Sequence, residues 1–225
     1  MKRHSVAIDG PAGAGKSTLA RQAADKLGFL YVDTGAIYRT VALKTLRDGA
    51  DAGDQEQVAG VLRGLDLSLD YGPGGEQRMF LAGEDVSRAI REHRVSGLAS
   101  QVSAVPQVRA FLLDFQRKLA RENDVVMDGR DIGTVVLPDA DVKIFLTAEP
   151  EARARRRLRE LEQRGQEADY EIILRDIRQR DEQDCTRPIA PLRRAQDALV
   201  LDTTHLDLEQ SLQALLTMIK EKIHQ

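Results

Sequence analysis

The sequence predicts an α/β fold: a parallel sheet flanked by helices around a phosphate-binding loop, with an antiparallel β-containing insertion. Three observations carry this. Gly10-Pro11-Ala12-Gly13-Ala14-Gly15-Lys16-Ser17 spells G-x-x-x-x-G-K-[ST]. The apolar run Ser5-Val6-Ala7-Ile8 precedes it, and an apolar pattern of helical period follows. Further on, Leu65, Leu67, Leu69 and Tyr71 alternate with Asp66, Ser68 and Asp70, the period of a half-buried strand.

The elements follow in order. Residues 5–8 have the unbroken apolar character of a strand covered on both faces. After the loop, Leu19, Ala20, Ala23, Ala24 and Leu27 share a helix face, and Gly28 stands where a helix C-terminal glycine belongs. Residues 29–32 read as a second strand and residues 36–46 as a helix, with Gly49 just past its end. Beyond the alternating segment, residues 72–75 make a glycine-rich turn and residues 77–81 a partner strand. Residues 108–121 form a helix with the stripe Val108, Phe111, Leu112, Phe115 and Leu119. Residues 125–127, 142–146 and 198–201 complete the strands. Polar residues collect at strand carboxyl ends, at Asp33-Thr34, residues 128–131 and Thr147, where a sheet of this kind forms its ligand crevice.

The loop states a chemistry. Its glycines let backbone N–H groups close around a polyphosphate where a Cβ would obstruct. Lys16 reaches the β- and γ-phosphates, the Ser17 hydroxyl ligates Mg²⁺, and the following helix points its positive end at the phosphates. Gly10, Pro11, Ala12, Gly13, Ala14, Gly15, Lys16, Ser17 and Thr18 are thus the expected nucleoside triphosphate site, with Mg²⁺ as metal.

Composition bounds the rest. At 225 residues and 42% hydrophobic, the chain can bury a full core. Its net charge of −3 offers no bulk attraction for nucleic acid or anionic lipid, so neither is an expected partner. Met1-Lys2-Arg3-His4 leads straight into a strand, without the apolar stretch of a signal peptide. The single cysteine, Cys185, suits a reducing compartment, and a cytoplasmic protein is expected. His4, His93, His205 and His224 are scattered, without the spacing of a zinc site or a G-x-S-x-G elbow nearby.

Arginine is the second large signal. There are 25 Arg against 8 Lys, and residues 151–187 hold ten arginines, no lysine and ten acidic residues. That balance argues against a nucleic-acid tract. Glu151/Arg155 and Arg156/Glu160 are spaced for i,i+4 pairs on a solvated helix. One or two of these arginines folding over a triphosphate as a lid is the sharper alternative, since a guanidinium fork binds phosphate oxygens bidentately.

Phosphoryl transfer depends mostly on positioning and charge neutralisation. A phosphate monoester acceptor, with a second pKa of about 6, needs no general base at neutral pH. A hydroxyl acceptor would gain from a carboxylate, and Asp33 is the candidate. A small-alcohol P-loop kinase using Asp33 as base therefore stays open, as does a non-enzymatic nucleotide-binding switch. The switch has little support, because its usual N-K-x-D motif is absent and Asn123 is the sole asparagine.

Four segments, taken together, resemble bacterial cytidylate kinase, a nucleoside monophosphate kinase family. They are Ile8 to Lys16, Asp33-Thr34-Gly35-Ala36-Ile37-Tyr38-Arg39, Asp128-Gly129-Arg130-Asp131-Ile132-Gly133-Thr134-Val135-Val136, and Arg180-Asp181 through Arg187-Pro188-Ile189-Ala190-Pro191. The resemblance implies transfer of the ATP γ-phosphate to CMP or dCMP in a cytoplasmic monomer. It implies one P-loop kinase domain over residues 1–225, with a core at about 1–34, 108–150 and 166–225. A monophosphate-binding part with the insertion spans about 35–107, and a helical arginine-rich lid about 151–165.

Site roles follow from the same resemblance. Thr34, Arg39 and Arg130 are the implied acceptor-phosphate clamp, while Ser100, Arg109 and Asp131 are implied to read the cytosine edge. Arg180 and Asp184 match ribose contacts, and Arg187 a second phosphate- or sugar-side arginine. Lys16, Arg130 and Arg187 are the implied catalytic residues. A carboxylate at Asp131 can accept from the cytosine exocyclic amine, which uracil replaces with an acceptor. Asp131 or Asp184 merely pairing an arginine, and Ser100 capping a turn, are the plainer alternatives. Thr34 stands where related enzymes often have serine, and Cys185 is expected to be an incidental thiol.

Overall fold

The computed structural model describes residues 3–223, so the readings on Met1, Lys2 and His224 lie outside the described residues. In chain order the strands and helices are β1 (Ser5–Asp9), α1 (Lys16–Leu27), β2 (Leu30–Asp33), α2 (Thr34–Arg47), α3 (Gln55–Leu62), β3 (Leu67–Tyr71), β4 (Gln77–Leu81) and β5 (Glu84–Asp85). They continue with α4 (His93–Val102), α5 (Pro106–Glu122), β6 (Val125–Gly129), β7 (Val142–Thr147), α6 (Pro150–Gln163), α7 (Tyr170–Thr186), β8 (Leu199–Asp202) and α8 (Leu208–Ile223). Contacts group these into two units, residues 1–30 with 124–225, and residues 31–123.

The first unit is built on the parallel strands β6-β1-β7-β8, and the chain leaves it along β2. Val6, Ala7, Ile8, Val125, Val126 and Met127 are fully buried, which is why these runs are apolar without alternation. Register places Asp9 beside Gly129 on β6 and beside Phe145 on β7, so the chemistry-bearing strand ends lie level. Helix α1 is bounded by two glycines in the left-handed region, Gly15 (φ 88°) and Gly28 (φ 69°). Helices α6 and α7 share their own small core of Ala154, Ile173, Leu174 and Ile177.

The second unit packs α2 to α5 with the antiparallel sheet β3-β4-β5. Leu67 pairs with Leu81 and Tyr71 with Gln77, which is the insertion expected from the alternating segment. Asp33 caps α2 by accepting from the Ala36 N–H at 2.8 Å. The expected apolar stripe of α5 is rotated. Val108, Leu112 and Gln116 face inward, whereas Phe111 is exposed. The buried line runs at i, i+4, i+8, and that spacing carries Phe111 off its edge.

Gly10 fixes how closely the phosphate loop approaches the sheet. Its φ is +154°, and a Cβ there would stand 1.9 Å from the Leu146 carbonyl oxygen of β7. No rearrangement of a side chain relieves that contact, because the opposing atom is backbone. Gly10→Ala is expected to destabilise by about 3 kcal/mol or more. Gly15→Ala, strained by φ but with open space around it, is expected to lose about 1 kcal/mol. Urea midpoints of the two variants check the difference, and equal losses would mean that conformation alone, without the close approach, dictates both glycines.

Candidate active site

At the carboxyl ends of β1 and β6, the first unit gathers the loop residues with Asp9, Asp128, Arg130 and Asp131. Asp9 is buried and accepts from the Ile132 and Gly133 N–H groups, at 2.7 Å each. Burial raises its pKa from 3.8 to about 6, against the pull of those two bonds, and the neighbouring Asp131 charge adds to the rise. Ile132–Val136 forms a π-helical turn whose first N–H groups need outside acceptors, and Asp9 supplies them.

Lys16 is buried, and its Nζ donates to the Pro11 carbonyl at 2.7 Å. Burial first, and the Arg130 guanidinium second, lower its pKa from 10.5 to about 7. Asp128, Asp184 and Asp9 pull the other way. The Ser17 hydroxyl donates to Asp128 Oδ2 at 2.8 Å. A hydroxyl and a carboxylate at the loop are hard oxygen donors, the kind that suits Mg²⁺.

The arginines of this unit are paired with carboxylates. Arg130 Nε donates to Asp184 Oδ2 at 2.7 Å, and Arg187 Nη2 lies 3.5 Å from Asp131 Oδ1. Arg187 Nε also donates to the Ala190 carbonyl at 2.6 Å. Thus Arg130 meets Asp184, and Arg187 meets Asp131, while Arg180 is exposed on α7. Cys185 is exposed; what burial it has, followed by the charges of Asp181 and Asp184, pushes its thiol up from 9.0. That is the reverse of an activated thiolate.

The arginine-rich hairpin corrects the expected pairs. Glu151 accepts from Arg178 on α7 at 2.6 Å, not from Arg155, and Glu160 pairs with Arg157 at 3.2 Å. Arg156 instead donates to the Thr203 carbonyl and hydroxyl. Arg156 thus meets fixed acceptors outside its helix, which leaves Glu160 to an i,i+3 partner. Arg155, Arg157 and Arg159 are exposed, and Arg153 is buried.

In the second unit, Asp33 is committed to structure. Besides capping α2, it accepts from Arg39 Nη2 at 3.0 Å. The Gln77 side chain of β4 grips the Asp33 backbone at both ends, accepting from its N–H at 2.7 Å and donating to its carbonyl at 3.2 Å. Thr34 is buried in the first turn of α2. Among the described residues, the buried Arg39 Nε has no acceptor, which leaves a donor for a ligand. Arg109 is buried, donates to the Ser103 carbonyl at 3.2 Å, and lies 5.6 Å from the Tyr38 ring centre. Ser100 is exposed on α4, and its carbonyl accepts from the Ser103 hydroxyl at 2.8 Å.

Sequence reasoning missed Asp9, Gln77, Arg153 and the link between Ser17 and Asp128. A signal existed for two of them: Asp9 and Asp128 are each the acidic residue that closes an apolar strand.

A family model for cytidylate kinase matches residues 6–221. The chain belongs to the cytidylate kinase family. The cytidylate kinase of Caldicellulosiruptor saccharolyticus is 48% identical over 223 residues, 99% of this chain and 98% of the relative. That of Carboxydothermus hydrogenoformans is 49% identical over 217 residues, 96% of this chain and 97% of the relative. A solved structure, described as an uncharacterized protein from Eubacterium ventriosum, shares the fold. Its TM-score is 0.51 at 13% identity, and the match covers 97% of this chain and 99% of that one. As a member of the family, this chain is a kinase enzyme that phosphorylates CMP or dCMP, and ATP is the phosphoryl donor that such a kinase implies. The small-alcohol kinase and the switch are not favoured by these relatives.

The lowered Lys16 pKa has a measurable consequence for ATP binding. At pH 8, above its value of about 7, the lysine is mostly neutral, and an arriving triphosphate raises its pKa by favouring the charged form. Nucleotide binding at pH 8 is therefore expected to take up a proton, and affinity to weaken as pH rises through about 7 and beyond. Calorimetry in buffers of different ionisation enthalpy measures the uptake. A binding heat independent of buffer would mean that Lys16 is charged before the nucleotide arrives.

Proposed function

We propose that the phosphoryl group passes directly from MgATP to the CMP phosphate, held by loop and arginines without a general base. The observation that carries this reading is the pair of arginine–carboxylate contacts, Arg130 with Asp184 and Arg187 with Asp131. Each arginine suits a phosphate, and each carboxylate suits a donor group of a nucleoside.

In this mechanism the residues 10–18 loop turns its N–H groups to the triphosphate, and Lys16 gives up the Pro11 carbonyl for the β- and γ-phosphates. Ser17 and Asp128 would hold Mg²⁺, whose positive charge neutralises the phosphate oxygens. Arg130 and Arg187 take the acceptor phosphate and stabilise charge on the transferring group, while Arg180 and Asp184 take the ribose. Asp131 accepts from the cytosine amine. Thr34 and Arg39 keep the phosphate role, and Ser100 and Arg109 the base role, that the family resemblance assigns them. Movement of the outer end of the α6–α7 hairpin, beyond Arg153 and Asp181, over the nucleotides excludes water that would otherwise be phosphorylated. The enzyme acts as a cytoplasmic monomer.

The test is coupled ADP release with MgATP and CMP, dCMP, UMP, AMP, GMP or small alcohols as separate acceptors. Turnover is expected to be strong with CMP and dCMP, weak with UMP and absent with purines and alcohols. Arg130→Ala should lower kcat about 100-fold. Asp131→Ala should erode the preference for CMP over UMP more than it changes ATP use. A near-normal kcat in the first variant, or an unchanged acceptor ranking in the second, removes that residue from its role.

A further inference from the structure

We infer that Arg153 is a positioning residue for the phosphate loop, and that Asp181 of α7 holds it in place. The Arg153 side chain is only 3% exposed. Its Nε donates to the Ala148 carbonyl at 2.8 Å. Nη1 donates to the Ala12 carbonyl at 2.9 Å and to Asp181 Oδ1 at 3.0 Å, and Nη2 to Asp181 Oδ2 at 2.5 Å. These bonds use four of the five guanidinium N–H groups. A phosphate could be gripped bidentately only by expelling Asp181, and a carboxylate left without its buried partner is strongly unfavourable. Arg153 is therefore a strut, and phosphate contact from the hairpin falls to other arginines.

The strut acts on the loop through one peptide. The Ala12 carbonyl and the Gly13 N–H belong to the same planar trans unit, so anchoring the oxygen fixes the N–H in the opposite direction, away from Arg153. That N–H is among those the loop has for phosphate. The two elements are in ordinary van der Waals contact here, since a Cβ on Gly13 would lie 3.9 Å from Arg153 Cβ. The Pro11 carbonyl, one peptide earlier, accepts from Lys16, so consecutive peptides of the loop are set by two different basic side chains.

Asp181 follows Arg180 directly and lies one helical turn before Asp184. On the proposed assignment of α7 to the acceptor ribose, the helix that holds CMP also sets the strut that shapes the ATP loop. This second part rests on that assignment. The positioning role of Arg153 does not.

Steady-state kinetics with each substrate varied in turn test both parts. Asp181→Asn and Arg153→Met are expected to raise the KM for ATP about tenfold, with the KM for CMP within about twofold and kcat within about threefold. Arg153→Lys, which keeps the charge but cannot fork between Asp181 and Ala12, should recover only part of the loss. A merely structural role would lower kcat per mole of protein and leave both KM values unchanged, and that result overturns the inference. An equal rise in both KM values overturns it too. If Arg153→Met does not fold, the near-isosteric Asp181→Asn decides. Asp184→Asn separates the two readings, because it should raise the KM for CMP well above any change in that for ATP. If it leaves the CMP value unchanged, the assignment of α7 to the acceptor fails, while a raised ATP value in Asp181→Asn still supports the strut.

Discussion

The segments leaving the carboxyl ends of β1 and β6 are tied by one carboxylate: Asp9 accepts from the N–H groups of both Ile132 and Gly133. Register seats Asp9 between Gly129 and Phe145, inside the sheet's end, where water does not reach it. A buried carboxylate is retained only if its oxygens are satisfied, and a π-helical turn is stable only if its leading N–H groups are. Each solves the other's problem. The turn then fixes the backbone around Asp131, and Asp9 itself stands next to Gly10, where the phosphate loop begins. The phosphate loop and the segment after β6 thus share an anchor before any substrate contact is considered.

Charge in this protein is sorted by depth. Residues 151–187 are balanced in sign, yet their members do different work. Arg155, Arg157 and Arg159 face solvent, where ion pairs are worth about 0–1 kcal/mol. Arg153, Arg156 and Arg187 instead bond backbone carbonyls at fixed distances, so they set chain geometry as well as charge. In the second unit, Gln77 does comparable work without charge. It reaches from the insertion sheet to the Asp33 backbone, and Asp33 in turn holds Arg39. The insertion is thereby connected to a residue with a proposed chemical role.

Most of the sheet was legible because its strands are buried on both faces and read as unbroken apolar runs. The β3–β4 hairpin was legible because one of its faces alternates with the other. Helices α3 and α4 are hard to read from sequence: each carries only three large apolar residues at helical spacing, Val58, Val61 and Leu62 or Val95, Leu98 and Val102, over too short a run for the period to stand out. The π-helical turn after β6 could not be seen, because its conformation depends on Asp9, more than a hundred residues away in the chain. The loop chemistry was legible as a motif whose spacing is itself geometry. Arg153 was hidden among similar neighbours: its role follows from which side of α6 meets α7 and the loop, and local spacing does not encode that.

The pairing of Arg130 with Asp184 and of Arg187 with Asp131 has a consequence for competition among cellular anions. A polyanion that offers only negative charge gains little by capturing one of these arginines, since the displaced carboxylate stays close by and repels it. Pyrophosphate and other fully ionised phosphates suffer this handicap. A molecule bearing an anionic end and hydrogen-bond donors a few ångströms apart can satisfy both members of each pair at once. On the proposed roles, the pairs work as a filter in which acidity alone is not enough, and an excess of simple phosphates is discounted without a wall or gate to keep it out.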